Sequence, residues 1–261
     1  MKKLIAILIL IPEISLHALK AVVLMPSHAE IACAVGACPD IAAVGSYCDW
    51  PAELAEKPKV GDYFKPDLEK IYSIKPDFVL LSFSANSNTA ADMMKLGLKV
   101  VELPPEKNLS DLYANTISIA ELFGRKKQGE ILVKKIKKDL PPSESKKLKK
   151  VFFEIDGGFW TAGKDSFLNS LLKKAGGENV FARRSESYFK VSWESLIVAN
   201  PDVIISNASQ PDFFMNLPLA EKVSAVKNKK VFKLSPYLRD MLVRPGPRTP
   251  QAVRELAELI K

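Results

Sequence analysis

Tyr63-Phe64-Lys65, Glu69 and Pro76-Asp77 lead into the apolar run Phe78–Leu81 and Ser82, and Tyr188-Phe189-Lys190, Glu194 and Pro201-Asp202 lead into Val203–Ile205 and Ser206. The six identities share one offset of 125 residues without a gap. Each copy reads as a loop, a short helix, a Pro-Asp turn and a buried strand. Proline disfavours helix in the residue before it, and a short continuous apolar run suits a strand covered on both faces. Two copies predict two similar α/β lobes facing each other. Ligands of such folds bind in the crevice outside the carboxyl ends of the strands.

Outward from the repeat, strand candidates alternate with helical patterns: Lys20–Met25, Ile41–Val44, Phe78–Leu81 and Lys99–Leu103, then Val151–Ile155, Val203–Ile205 and Val231–Leu234. That alternation argues α/β layering. The gap after Leu103 holds the segment Leu122–Lys150, read as a helix of about 17 residues ending before Pro141-Pro142-Ser143 and spanning roughly 25 Å. It predicts a rigid spine. The expected organisation is a signal peptide at 1–18, an N-terminal lobe at 19–124, an interlobe helix and linker at 125–148, and a C-terminal lobe at 149–261. Lys2 and Lys3 before the apolar run Leu4–Pro12, with Leu16-His17-Ala18 as an imperfect cleavage site, carry the signal-peptide reading. Cys33 lies too far along for a lipoprotein box, so a soluble periplasmic product is expected.

Hydrophobic residues make up 47% and charged residues 26%, an ordinary globular balance, so the net charge of +8 needs a local explanation. Lysines at helical spacing between Lys126 and Lys150 supply much of it. No aromatic residue interrupts that run to stack on bases, which excludes a nucleic-acid groove in favour of a solvated helix. Cys33, Cys38 and Cys48 leave one thiol unpaired within the chain; a Cys33–Cys38 or Cys38–Cys48 disulfide or simple burial all fit. His28 is the one histidine after the expected cleavage site, too few for a zinc or manganese site. It reads as a polar cap or hydrogen-bonding group, or as an axial ligand to cobalt or haem iron.

The blocks Val22-Val23-Leu24-Met25-Pro26-Ser27, leading into a helix at Glu30, then Val44-Gly45-Ser46-Tyr47-Cys48-Asp49-Trp50-Pro51, Pro58-Lys59-Val60-Gly61, Ala175-Gly176-Gly177-Glu178-Asn179 and Arg244-Pro245-Gly246-Pro247-Arg248 resemble the periplasmic binding proteins for cobalamin, haem and ferric siderophores. The Tyr-Cys-Asp-Trp-Pro and Gly-Gly-Glu-Asn blocks look most like the cobalamin branch. Two lobes joined by a single long helix, a monomer, and delivery to an ABC permease dimer with its ATPase subunits are what the resemblance implies. Contact with the membrane would run only through the permease. Cobalamin leads as transported ligand, ahead of a ferric siderophore and haem, with no cofactor. Tyr63 and Tyr188 stand where the cobalamin receptor has tryptophan, so the cleft stays aromatic without being identical.

Cleft contacts are expected from Ser27, His28, Tyr47, Trp50, Tyr63, Phe64, Phe83 and Asn86 in the first lobe and from Trp160, Tyr188, Tyr237 and Arg244 in the second. Aromatic side chains give large contact area at low entropic cost, which suits a flat macrocycle. Trp193 is expected to pack against its own helix. Glu69 and Glu194 begin equivalent helices; each stabilises a macrodipole or, as the resemblance implies, docks on arginines of the permease. An enzyme is the rival class. The chain has no Gly-x-Ser-x-Gly, Gly-x-Gly-x-x-Gly or P-loop, and no catalytic residue is assigned.

Overall fold

The computed structural model describes residues 19–83, 87–142 and 148–261. The signal-peptide segment, Asn86 and Ser143 lie outside the described residues. The first lobe carries β1 (Ala21–Val23), β2 (Ile41–Val44), β3 (Phe78–Ser82) and β4 (Val100–Leu103), all parallel, in the order β2-β1-β3-β4. Its helices are α1 (Pro26–Ala34), α2 (Ala52–Ala55), α3 (Leu68–Ile74), α4 (Ser87–Lys95) and α5 (Leu109–Leu122). After α6 (Lys126–Asp139) comes a six-stranded sheet of β5 (Lys149–Asp156), β6 (Trp160–Ala162), β7 (Gly177–Asn179), β8 (Tyr188–Lys190), β9 (Val203–Ser206) and β10 (Val231–Lys233). Its order is β10-β9-β5-β6-β8, with β7 also on β5; β6 and β8 form its antiparallel edge. Helices α7 (Phe167–Lys174), α8 (Trp193–Ala199), α9 (Pro211–Met215), α10 (Ser224–Lys227), α11 (Pro236–Val243) and α12 (Thr249–Ile260) cover it.

The sequence repeat is a structural repeat down to single hydrogen bonds. Asp67 caps α3 by accepting from the Lys70 amide, and Ser192 caps α8 by accepting from the Ser195 amide. Both helices end in a left-handed residue, Lys75 (φ 51°) and Asn200 (φ 45°). The aspartate after each proline then ties the turn to a neighbouring strand start: Asp77 accepts from the Lys20 amide at 2.7 Å, Asp202 from the Lys150 amide at 2.9 Å. The strands that follow, β3 and β9, are buried throughout. Tyr188–Lys190 is strand β8, not a loop, because β6 offers it an edge: Thr161 faces Phe189 and Ala162 faces Tyr188.

The spine is α6, 14 residues long rather than about 17, or about 21 Å. It stops at Asp139 because Leu140 precedes a proline and turns extended (ψ 130°). Gly129, Leu132, Val133 and Ile136 form its buried stripe at helical spacing. Gly129 permits a close approach to α5, since a Cβ there would sit 2.5 Å from the Ala120 Cβ. The Arg125–Asp40 ion pair (2.6 Å) fixes the start of α6 to the first lobe. The Asp139 carbonyl, accepting from Arg254 at 2.7 Å, fixes its end to α12. One apolar cluster runs from Val23 and Ile119 through Leu132 and Ile136 to Leu168 and Leu256, so the lobes share a core. Cys33 and Cys38 form a disulfide at the end of α1, and Cys48 is a free, buried thiol that burial pushes up to about 12. Among the described residues no helix is long and apolar enough to cross a membrane.

Candidate functional site

The carboxyl ends of β1 and β2 feed directly into a cleft. Helix α1 starts at Pro26, three residues after β1, rather than at Glu30 as the sequence suggested; proline suits a first helical turn, where its missing N–H has no partner to lose. Ser27 and His28 therefore sit in a helix and not a loop. Ser27 still lines the cleft, a space of about 220 Å³ walled by Met25, Pro26, Tyr47 and Tyr63 on one side and by Arg239, Asp240, Val243 and Arg244 of α11 and its C-cap on the other. His28 does not: it is 1% exposed, its Nε2 lies 4.0 Å from Glu106, and burial pushes it down to about 4. Enclosed in this way, it is not among the residues that line the cleft. A larger cavity of about 450 Å³ lies near Lys149, where β5 begins, and Pro142, Lys174 and Ile260. It adjoins the start of β5 and has no aromatic wall, unlike the cleft lined by Tyr47 and Tyr63.

Tyr47, Tyr63 and Phe64 form a chain of rings, with centroids 6.0 Å and 4.3 Å apart. Tyr47 and Phe64 are exposed, as is Phe83 after β3. In the second lobe Trp160 and Tyr188 are exposed on one face of the β6–β8 ladder, where Trp160 pairs Lys190 and Ala162 pairs Tyr188. Tyr237 is exposed at the start of α11. Trp193 is buried and stacks on Phe159 (6.0 Å, 25°) while donating to the Pro218 carbonyl at 2.7 Å, so it packs beyond its own helix. Trp50 supports an arginine: Arg248 lies over its ring at 4.5 Å.

That arginine belongs to a cross-lobe clamp. Arg248 holds Glu30 of α1 through Nε (3.0 Å) and Nη2 (2.5 Å), and both side chains are buried. Burial pushes the Glu30 carboxyl up against the pull of Arg248 and Arg244. Arg244 contacts Asp49 at 2.5 Å, Asp240 at 3.1 Å and Glu30 at 3.5 Å. Partial burial opposes the charge of Asp49, yet the hydrogen bond and charge of Arg244 hold its carboxyl below the usual range. Arg239 pairs Asp240 at 2.9 Å. The Arg244-to-Arg248 block thus joins the lobes beside the cleft, a role its sequence did not suggest. Glu69 and Glu194 are exposed in the first turns of α3 and α8. The Glu194 carboxyl is held down by its own backbone amide and the Ser192 hydroxyl. Among the described residues no group of three or more His, Cys, Asp or Glu is arranged to hold a metal ion.

The model of the family described as periplasmic binding protein matches residues 22–238. An uncharacterized ABC transporter substrate-binding lipoprotein, YvrC, of Bacillus subtilis strain 168 is 31% identical over 92% of this chain and 79% of its own. A vitamin B12-binding protein of Vibrio vulnificus strain YJ016 is 29% identical over 99% of this chain and 97% of its own. The structure of a possible iron-binding (periplasmic solute-binding) protein from Staphylococcus epidermidis ATCC 12228 superposes with a TM-score of 0.81 at 29% identity, covering 92% of this chain and 98% of that one. The periplasmic heme-binding protein BhuT, in complex with two hemes, shares the fold at a TM-score of 0.79 and 21% identity, over 93% and 99% of the two chains. Because the matched stretch runs from the second residue of β1 into α11, through both lobes and the cleft between them, this chain belongs to the periplasmic binding protein family, the substrate-binding class of ABC importers.

Proposed function

We propose that this chain captures cobalamin between its lobes outside the cytoplasm and hands it to an ABC permease. The observation that carries the reading is the set of rings at the strand ends of both lobes: exposed Tyr47 and Phe64 with half-buried Tyr63 in one, exposed Trp160 and Tyr188 in the other. A rigid macrocycle binds by burying flat apolar surface, and the edges of Tyr and Trp leave hydrogen-bonding groups for its periphery. Relatives described as vitamin B12-binding proteins that align over nearly the whole chain support it. The second reading is a ferric siderophore or haem, favoured by the likeness to the possible iron-binding protein of Staphylococcus epidermidis. No bond is made or broken in either reading. Glu69 and Glu194 are the permease-docking residues of the proposal. The division at 19–124, 125–148 and 149–261, an exported protein and a monomer complete it.

Calorimetric titration of residues 19–261 with cyanocobalamin, haem and a ferric siderophore tests the ligand. One-to-one binding of cyanocobalamin at submicromolar strength is expected. Binding of haem or the ferric chelate with none of cyanocobalamin moves the function to iron uptake.

A further inference from the structure

We infer that Asp49 sets the charge selectivity of the cleft by occupying Arg244, so that the cleft disfavours anionic ligands. The inference rests on the ligand cleft proposed above. Arg244 is a cleft-wall residue, and a guanidinium in such a wall is an anchor for a carboxylate, catecholate or phosphate on a ligand. Here the anchor is already engaged. Asp49 accepts from its Nη1 at 2.5 Å, Asp240 from its Nη2 at 3.1 Å, and Glu30 lies 3.5 Å away. Counting the whole clamp, Arg239, Arg244 and Arg248 face Glu30, Asp49 and Asp240, three charges of each sign, so the charge of Arg244 is balanced.

The three carboxylates are not equivalent. Glu30 is buried and held by Arg248 as well, and Asp240 is shared with Arg239, so both are fixed by second partners. Asp49 is 59% exposed, lies outside helix and strand, and among the described residues pairs with Arg244, which is only 11% exposed. Asp49 therefore stands where the anionic group of a ligand would stand, and a ligand that carries one must displace it. A neutral ligand meets no such competition. An exposed carboxylate of this kind changes selectivity and salt dependence more than fold stability.

The test uses two ferric chelates of similar size and opposite charge character: an uncharged trishydroxamate and a trianionic tris-catecholate. Their affinities for wild type, Asp49→Asn and Asp49→Glu are measured by fluorescence quenching at low and high salt. Asp49→Asn is expected to raise the preference for the trianionic over the uncharged chelate by about tenfold at low salt, shrinking as salt screens the freed arginine. Asp49→Glu, which restores the charge, is expected to return the wild-type ratio. A merely structural role for Asp49 would move both affinities together and leave the ratio alone. An unchanged ratio, or no binding of the trianionic chelate to either wild type or Asp49→Asn, overturns the inference. Cyanocobalamin is titrated alongside. If wild type ignores it while the ratio still rises, the cobalamin reading falls and the role of Asp49 stands.

Discussion

Ionising His28 would place a charge inside α1, where the ring is enclosed and its Nδ1 has no hydrogen-bond partner. Burial pushes its folded-state value to about 4, against 6.5 for an exposed imidazole. In the unfolded chain the ring takes its proton near 6.5, so acid favours unfolding. The stability tied to neutral His28 is fully present above about pH 6.5 and is lost as pH falls toward 4, by about 3 kcal/mol in total. Glu30 and Glu106 act in the other sense, because burial raises both and the folded state holds their protons more tightly. Replacing His28 with Gln separates the two. Urea unfolding at steps between pH 7 and 4 is expected to find wild type losing about 3 kcal/mol more than His28→Gln; parallel curves would sink the assignment. The sequence marked Tyr47, Tyr63 and Arg244 because aromatic and charged side chains just past apolar runs point at strand ends. It could not mark Asp49 and Glu30, whose partners lie 195 and 218 residues away with no period connecting them.

At the scale of elements, the repeat places α3 and α8 in matching surroundings, each capped at its start and stopped by a left-handed residue before a Pro-Asp turn. That sameness explains why the helix, turn and buried strand of each copy were readable: the Pro-Asp turn ends the helix and the apolar run after it enters the sheet. The short strands β6, β7 and β8 were not readable. Each is three residues long, too short to carry a period, and each exists because a neighbour's edge was open. Matching helices also put Glu69 and Glu194 in matching exposed positions, which the proposed docking on a two-fold symmetric permease would use. The double variant Glu69→Ala with Glu194→Ala is expected to bind ligand with wild-type affinity and to fail in delivery to permease-containing vesicles. Neither residue lines the cleft, so weakened ligand binding would refute the docking role. Full delivery would equally refute it. Single variants are expected to retain partial delivery, since one lobe keeps its contact.

For the molecule as a whole, the question is how far the lobes can move. A hinge needs a few residues free to absorb large backbone changes while the bodies on either side stay rigid. Here three links cross between the lobes at once. Helix α6 is tied to the first lobe by Arg125–Asp40 and to the second by Asp139–Arg254. A common apolar core passes beneath it. Arg248 and Glu30 form a buried bidentate pair between the lobes, and leaving one member of such a pair buried without the other costs about 3–5 kcal/mol. A ligand driving wide closure would have to supply that energy from its differential affinity for the closed state, on top of remaking the shared core. Small closure is the expected outcome. Solution scattering with and without saturating ligand should give the same radius of gyration within measurement error, and a large decrease would overturn the rigid-spine account. Glu30→Gln is the informative companion. It removes the clamp's buried negative charge while leaving α6 and the shared core in place, so a ligand-induced decrease in that variant alone would identify the Arg248–Glu30 pair, and not the helix, as what fixes the lobes relative to one another.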